Sequence, residues 1–109
     1  VTFGSGCLGV ASNTSTDIYI ENETDELQKI TIQVQKQSNN SLLLSETINI
    51  EPNRTKRYDE VVSGSEVIVD IRVENGSENT YEWYDGTSDS MFLYIEIESN
   101  SIRFTEGME

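Results

Sequence analysis

Apolar and polar residues alternate with period two along most of the chain after residue 16, the pattern of strands that bury one face. Ile18 and Ile20 open the series, and Ile30, Ile32 and Val34 follow, interleaved with Thr31, Gln33 and Gln35. Leu44, Ile48 and Ile50 share one face of a third segment, and a weaker fourth runs over residues 55–62. Val67, Val69, Ile71 and Val73 give the cleanest alternation, with Glu66, Asp70, Arg72 and Glu74 turned the other way. Tyr81 and Trp83 share a face of the next segment. Met91, Leu93, Ile95 and Ile97 line the one after it, and Ile102 with Phe104 predict a last short strand.

The breaks between these segments are turn signals. Residues 37–41 form a polar hairpin-type loop, and Glu51-Pro52-Asn53-Arg54 holds the only proline. Ser63-Gly64-Ser65, Asn75-Gly76 and Asp85-Gly86 mark further turns, Asn-Gly being the strongest short hairpin signal. Residues 23–28 have room for one helical turn, and no longer window carries a helical stripe. About eight short strands with turns every 8–12 residues or so predict an all-β, antiparallel β-sandwich. Residues 17–109 form that domain; residues 1–16, rich in Gly, Ser and Thr, form an extended N-terminal segment.

Composition narrows the function. A chain of 109 residues holds one domain, and its 35% hydrophobic share suits a single modest core rather than a membrane protein. The net charge of -13 repels nucleic-acid phosphates and anionic membrane surfaces. A folded chain this acidic is suited to high salt, where self-repulsion is screened, and this points to a halophilic source. Histidine is absent and Cys7 is the only cysteine, so an internal disulfide, His/Cys zinc sites and His-dependent catalysis are excluded. The expectation is a non-enzymatic protein with no cofactor.

Five Asn-x-Ser/Thr triplets begin at Asn13, Asn22, Asn39, Asn53 and Asn75. Composition alone would give about two, so they are candidate N-glycan acceptors of a secreted protein.

Tyr81-Glu82-Trp83 sits where the Tyr-x-Cys of an immunoglobulin strand falls, with Trp83 in the cysteine position. On this motif and the strand pattern, residues 17–105 resemble the immunoglobulin-like or fibronectin-like sandwiches of archaeal and bacterial surface proteins. The paired cysteines of antibody domains are missing. The resemblance implies a haloarchaeal cell-surface protein.

The N-terminus reads Val-Thr-Phe-Gly-Ser-Gly-Cys-Leu-Gly-Val and does not start with Met, which suggests cleavage from a longer precursor. Gly4 to Gly9 resembles the end of a haloarchaeal lipoprotein signal, in which Cys7 is lipidated; Gly4 stands where that signal has an aliphatic residue. Extended, Val1, Phe3, Ser5 and Cys7 fall on one side with small residues between them. Such a strand can pair with a neighbouring subunit's sheet edge, and head-to-tail repetition gives a fibre. This resembles the donor-strand logic of chaperone-usher and archaeal thread-like pili. Two other readings stay open: the segment packs on its own domain, or Cys7 anchors a ligand-binding lipoprotein to the membrane. A virion or surface-layer decoration module is a third class.

Val1, Phe3, Cys7, Leu8 and Val10 are therefore candidate interface residues with identical subunits as partners. Phe92 and Tyr94 join them, because an inward Leu93 and Ile95 turn these rings outward; Tyr84 extends the patch, which suits a subunit interface or a sugar surface. Acidic groups gather at Glu21, Glu23, Asp25 and Glu26 and again over residues 85–89. Neither has the alternating ligands of an EF-hand loop, so both read as solvated charge rather than a metal site.

Overall fold

A computed structural model describes residues 15–63, 65–74, 76–85 and 91–108. They form eight strands: β1 (Ser15–Asn22), β2 (Gln28–Lys36), β3 (Leu42–Ile50), β4 (Thr55–Ser63), β5 (Ser65–Val73), β6 (Glu78–Asp85), β7 (Met91–Ile97) and β8 (Ile102–Met108). Two four-stranded sheets result, one in the order β4-β1-β7-β8 and the other β3-β2-β5-β6. The fold is an all-β sandwich, as the alternation predicts. No helix occurs among the described residues; residues 23–28, given room for a helical turn by the sequence, form bends instead. β1 begins at Ser15, two positions inside the segment that composition assigns to the tail.

The alternation becomes the core directly. Ile18 and Ile20, Ile30, Ile32 and Val34, Val67, Val69 and Ile71, and Leu93, Ile95 and Ile97 are all buried between the sheets. They come from β1, β2, β5 and β7, the central strands, which have a neighbour on each side. The edge strands contribute single buried residues: Ile50 from β3, Trp83 from β6 and Ile102 from β8. Among the described residues the Trp83 indole Nε1 has no hydrogen-bond partner. Tyr81-Glu82-Trp83 thus lies on a strand paired only with β5, whereas the corresponding immunoglobulin strand is flanked on both sides.

The pairs β2–β3, β5–β6 and β7–β8 are antiparallel hairpins within a sheet, while the other connections cross between sheets. β1 and β7 pair in parallel, Thr16 with Met91 through Asn22 with Ile97. In the β2–β3 turn Asn40 adopts φ 59°, a left-handed value that Asn tolerates, and Asn53 does the same after Pro52 at φ 62°.

Asn22 fastens the crossover from β1 to β2. Its side chain is fully buried, and Nδ2 donates to the carbonyl oxygens of Glu26 and Ile50, each at 2.8 Å. Its Oδ1 accepts from the Thr24 amide at 2.9 Å and the Thr24 hydroxyl at 2.7 Å. The backbone of Asn22 joins in, its N–H donating to the Arg54 carbonyl and its carbonyl accepting from the Asn53 N–H. One residue of the first sheet therefore holds the end of β3 in the second.

Candidate functional site: the sheet edges and the outer aromatic face

The two open sides of the sandwich are closed by the same device. Along β3 the positions opposite Ile30, Ile32 and Val34 are Ile48, Glu46 and Leu44, so Glu46 occupies a core-facing place on an edge strand. Tyr58 of β4, paired with Ile18 and also facing inward, donates its hydroxyl to Glu46 Oε1 at 2.9 Å across the seam. On the other side Tyr81 of β6 donates to Glu106 of β8. Burial followed by the Glu46 carboxylate raises the Tyr58 phenol far above its ordinary range. Tyr81 is raised to about 12, first by its bond to Glu106 and then by burial.

The two seams differ in what else closes them. Between β6 and β8 the Tyr81 and Phe104 rings stack with centroids 4.9 Å apart, and Asn79 Nδ2 donates to the Ile102 carbonyl at 3.1 Å. Between β3 and β4, Leu43, Leu44, Ile48, Tyr58 and Val61 pack on the core but stay partly open to solvent. Leu42 is 56% exposed beside them, which no buried role explains. A shallow cleft continues this seam past Ile48 and Ile50 to Arg54 and Lys56. β4 carries Lys56, Arg57 and Asp59 on its edge, β6 carries Glu78 and Glu82, and β8 carries Arg103. β3 has Glu46 as its only charge and no proline, which makes it the least guarded edge.

The outer face of the first sheet carries the aromatic patch. Phe92 and Tyr94 are half-buried there, and the parallel register sets Tyr19 of β1 beside Tyr94. Tyr19 lies 5.9 Å from Phe92 and 5.8 Å from Tyr94 by ring centroids. Tyr84 does not extend this patch, since β6 belongs to the other sheet. Tyr19 takes that role; its position was visible in Asp17-Ile18-Tyr19-Ile20-Glu21, but its neighbour depended on the parallel pairing. Tyr94 donates to Glu21 Oε1 at 2.6 Å, and Arg57 lies 5.5 Å over the Tyr19 ring while its Nη2 meets Asp17 at 2.9 Å.

Below these rings the carboxylate oxygens of Glu21, Glu23 and Glu96 come within 4.8 Å of one another. The hydrogen bond with Glu96 is the main cause of the raised Glu23 pKa, with partial desolvation and neighbouring carboxylates adding to it. Arg103 neutralises part of the group through Glu96 at 3.0 Å and Glu98 at 2.8 Å. Asp25 and Glu26, grouped with them by sequence, lie outside the cluster. The acidic stretch after Asp85 falls on residues 86–90, outside the described residues.

Of the sequon asparagines, Asn39 and Asn53 are exposed at turns. Asn22 differs from them: it is fully buried and donates both amide hydrogens, to the Glu26 and Ile50 carbonyls, so its side-chain nitrogen is not open to a glycan in this fold. Thr24, the third residue of that triplet, closes an Asx turn on Asn22 Oδ1 through its amide and its hydroxyl. Asn13 and Asn75, and the candidate interface residues Val1, Phe3, Cys7, Leu8 and Val10, lie outside the described residues.

No family model matches the sequence, and no curated protein matches it. Among solved structures, the NMR structure of a protein from Eubacterium rectale aligns with a TM-score of 0.52 at 13% identity, over 90% of this chain and 93% of that one. The structure of pneumolysin aligns with a TM-score of 0.43 at 12% identity, over 87% of this chain; the chain spans only 24% of pneumolysin. At such identities the likeness concerns the fold, and the chain shares with the Eubacterium rectale protein a two-sheet β-sandwich architecture.

Proposed function

We propose that this protein is a non-enzymatic, extracellular subunit of a cell-surface filament, built by strand addition between identical copies. The acceptor in this reading is the free edge of β3, and the donor is the apolar face of residues 1–10, with Val1, Phe3 and Cys7 reading out alternate positions. The observation that carries it is the contrast among the four edges: β3 presents Leu42, Leu43 and Leu44 in succession with one charge along its length. Main-chain bonds to that edge supply affinity, and the half-open leucines supply register. Glycans at the exposed Asn39 and Asn53 and the acidic surface then coat the exterior. The immunoglobulin-like kinship and the haloarchaeal surface belong to the same proposal, and rest on the sequence resemblance and the charge of -13.

The experiment is the oligomeric state of two variants by light scattering and electron microscopy. Deleting residues 1–12 removes the donor; Leu42→Lys places a charge on the acceptor edge at a residue already exposed, so folding is spared. Both are expected to reduce assembly at least tenfold. Unchanged assembly of both excludes strand addition at β3. Mass spectrometry of the native N-terminus separates the lipoprotein alternative, which requires a diacylated Cys7.

A further inference from the structure

We propose that the outer face of the first sheet binds a basic polypeptide segment, taking its arginine or lysine side chains between the Tyr19, Phe92 and Tyr94 rings and the carboxylates beside them. The face already holds one guanidinium in this way. Arg57 sits 5.5 Å over the Tyr19 ring and meets Asp17 at 2.9 Å, so cation–π attraction and an ion pair act on the same group. Further along the register, Glu21 stands beside Glu96 next to the Tyr19–Tyr94 pair, a second place where carboxylates adjoin rings.

The rings are held as a platform rather than left to rotate. A Cβ on Gly107 would collide with the tip of the Phe92 ring, so the absence of a side chain on β8 lets Phe92 recline across its cross-strand partner. Tyr94 is fixed by its bond to Glu21 and by the edge-on contact with Tyr19. Such a surface gives a cation rigid ring faces at little cost in side-chain entropy.

Charge decides the kind of partner. The carboxylate oxygens of Glu21, Glu23 and Glu96 lie within 4.8 Å of one another, so a further positive group relieves a repulsion that Arg103 only partly offsets. Asp17, Glu21, Glu23 and Glu96 on this face repel an anionic ligand. Along β7 the same-face positions Phe92, Tyr94 and Glu96 repeat every ~7 Å, the spacing of alternate side chains in an extended peptide. An extended segment with basic residues at every second position therefore meets a ring or a carboxylate at each step. This face belongs to the sheet that does not contain β3, so the inference stands apart from the assembly proposal.

The test titrates a short peptide with arginine at alternate positions into the intact protein at low salt, read by calorimetry and by amide shifts. Glu21→Gln keeps an acceptor for the Tyr94 hydroxyl while removing the charge, Phe92→Leu removes a ring, and Glu82→Gln removes an equal charge on the other sheet. The expected result is shifts centred on β1 and β7, with affinity about tenfold weaker for Glu21→Gln and Phe92→Leu and nearly unchanged for Glu82→Gln. Equal weakening by Glu21→Gln and Glu82→Gln would show attraction by net charge alone and overturn the site. So would binding of a neutral oligosaccharide to the same face with no response to the peptide. Should Phe92→Leu unfold, the comparison of the two glutamine variants decides the matter.

Discussion

Asn22 shows how much one side chain can decide. Its bond to the Ile50 carbonyl ties β1 to β3 of the other sheet, and its bond to the Glu26 carbonyl ties down the connecting loop; an apolar substitute removes both donors, leaving the Glu26 carbonyl only the Thr24 hydroxyl, and takes away the acceptor of the Thr24 amide. Leaving buried polar groups unsatisfied costs about 1–3 kcal/mol each. Asn22→Ala is therefore expected to destabilise the fold by about 3 kcal/mol, measured by urea denaturation; a loss below about 1 kcal/mol would show that the knot is dispensable. Peptide mapping of the native protein should find Asn22 unmodified whatever the state of Asn39 and Asn53. The sequon pattern was legible in the sequence, but its meaning at Asn22 was not, since an acceptor and an Asx turn use the same Asn-x-Thr triplet. Gly107 was equally silent. It reads as an ordinary residue near the end of the chain until Phe92 is seen to occupy the place of its missing side chain.

Strand by strand, legibility followed position in the sheet. β5, read from the cleanest alternation, lies between β2 and β6 and buries Val67, Val69 and Ile71. The weak segment at residues 55–62 became β4, an edge strand whose Lys56, Arg57 and Asp59 break the pattern because that edge meets solvent. The inward glutamates Glu46 and Glu106 look like errors of periodicity in the sequence; in the structure each meets a tyrosine from the opposite sheet. These bonds depend on a protonated phenol. Because the folded state holds the Tyr81 proton up to about 12 against an ordinary value of 10, its contribution is complete below pH 10 and is lost as the pH rises from there to about 12. Thermal melts across that window should fall more steeply for the native protein than for Tyr81→Phe, which has no proton to lose; identical slopes would remove the latch from the account.

For the molecule as a whole, twenty acidic against seven basic residues set a repulsion that the core must overcome. The ion pairs at Arg57, Arg72 and Arg103 join groups of which the arginines are all largely exposed, so they add little to stability. Salt screens the repulsion between unpaired carboxylates more than it weakens these pairs. The melting temperature is expected to rise by several degrees between about 0.05 and 1 M sodium chloride, as the Debye length shrinks from roughly 14 Å to 3 Å. A flat or falling curve would remove the case for a high-salt habitat. Binding of the basic peptide should move the opposite way, weakening as stability grows.

By itself the sequence determined that this chain folds as strands with one buried face, which residues form the core, and where the turns lie, because period two and turn chemistry are local properties. Charge and the lack of histidine set its chemical limits in the same way. Only the tertiary structure decided that β1 runs parallel to β7, that Tyr19 rather than Tyr84 joins Phe92 and Tyr94, and that β3 is the poorly guarded edge. Those outcomes depend on which strands become neighbours, and pairing between segments some seventy residues apart is chosen by the closure of the whole core, not by any pattern within either segment.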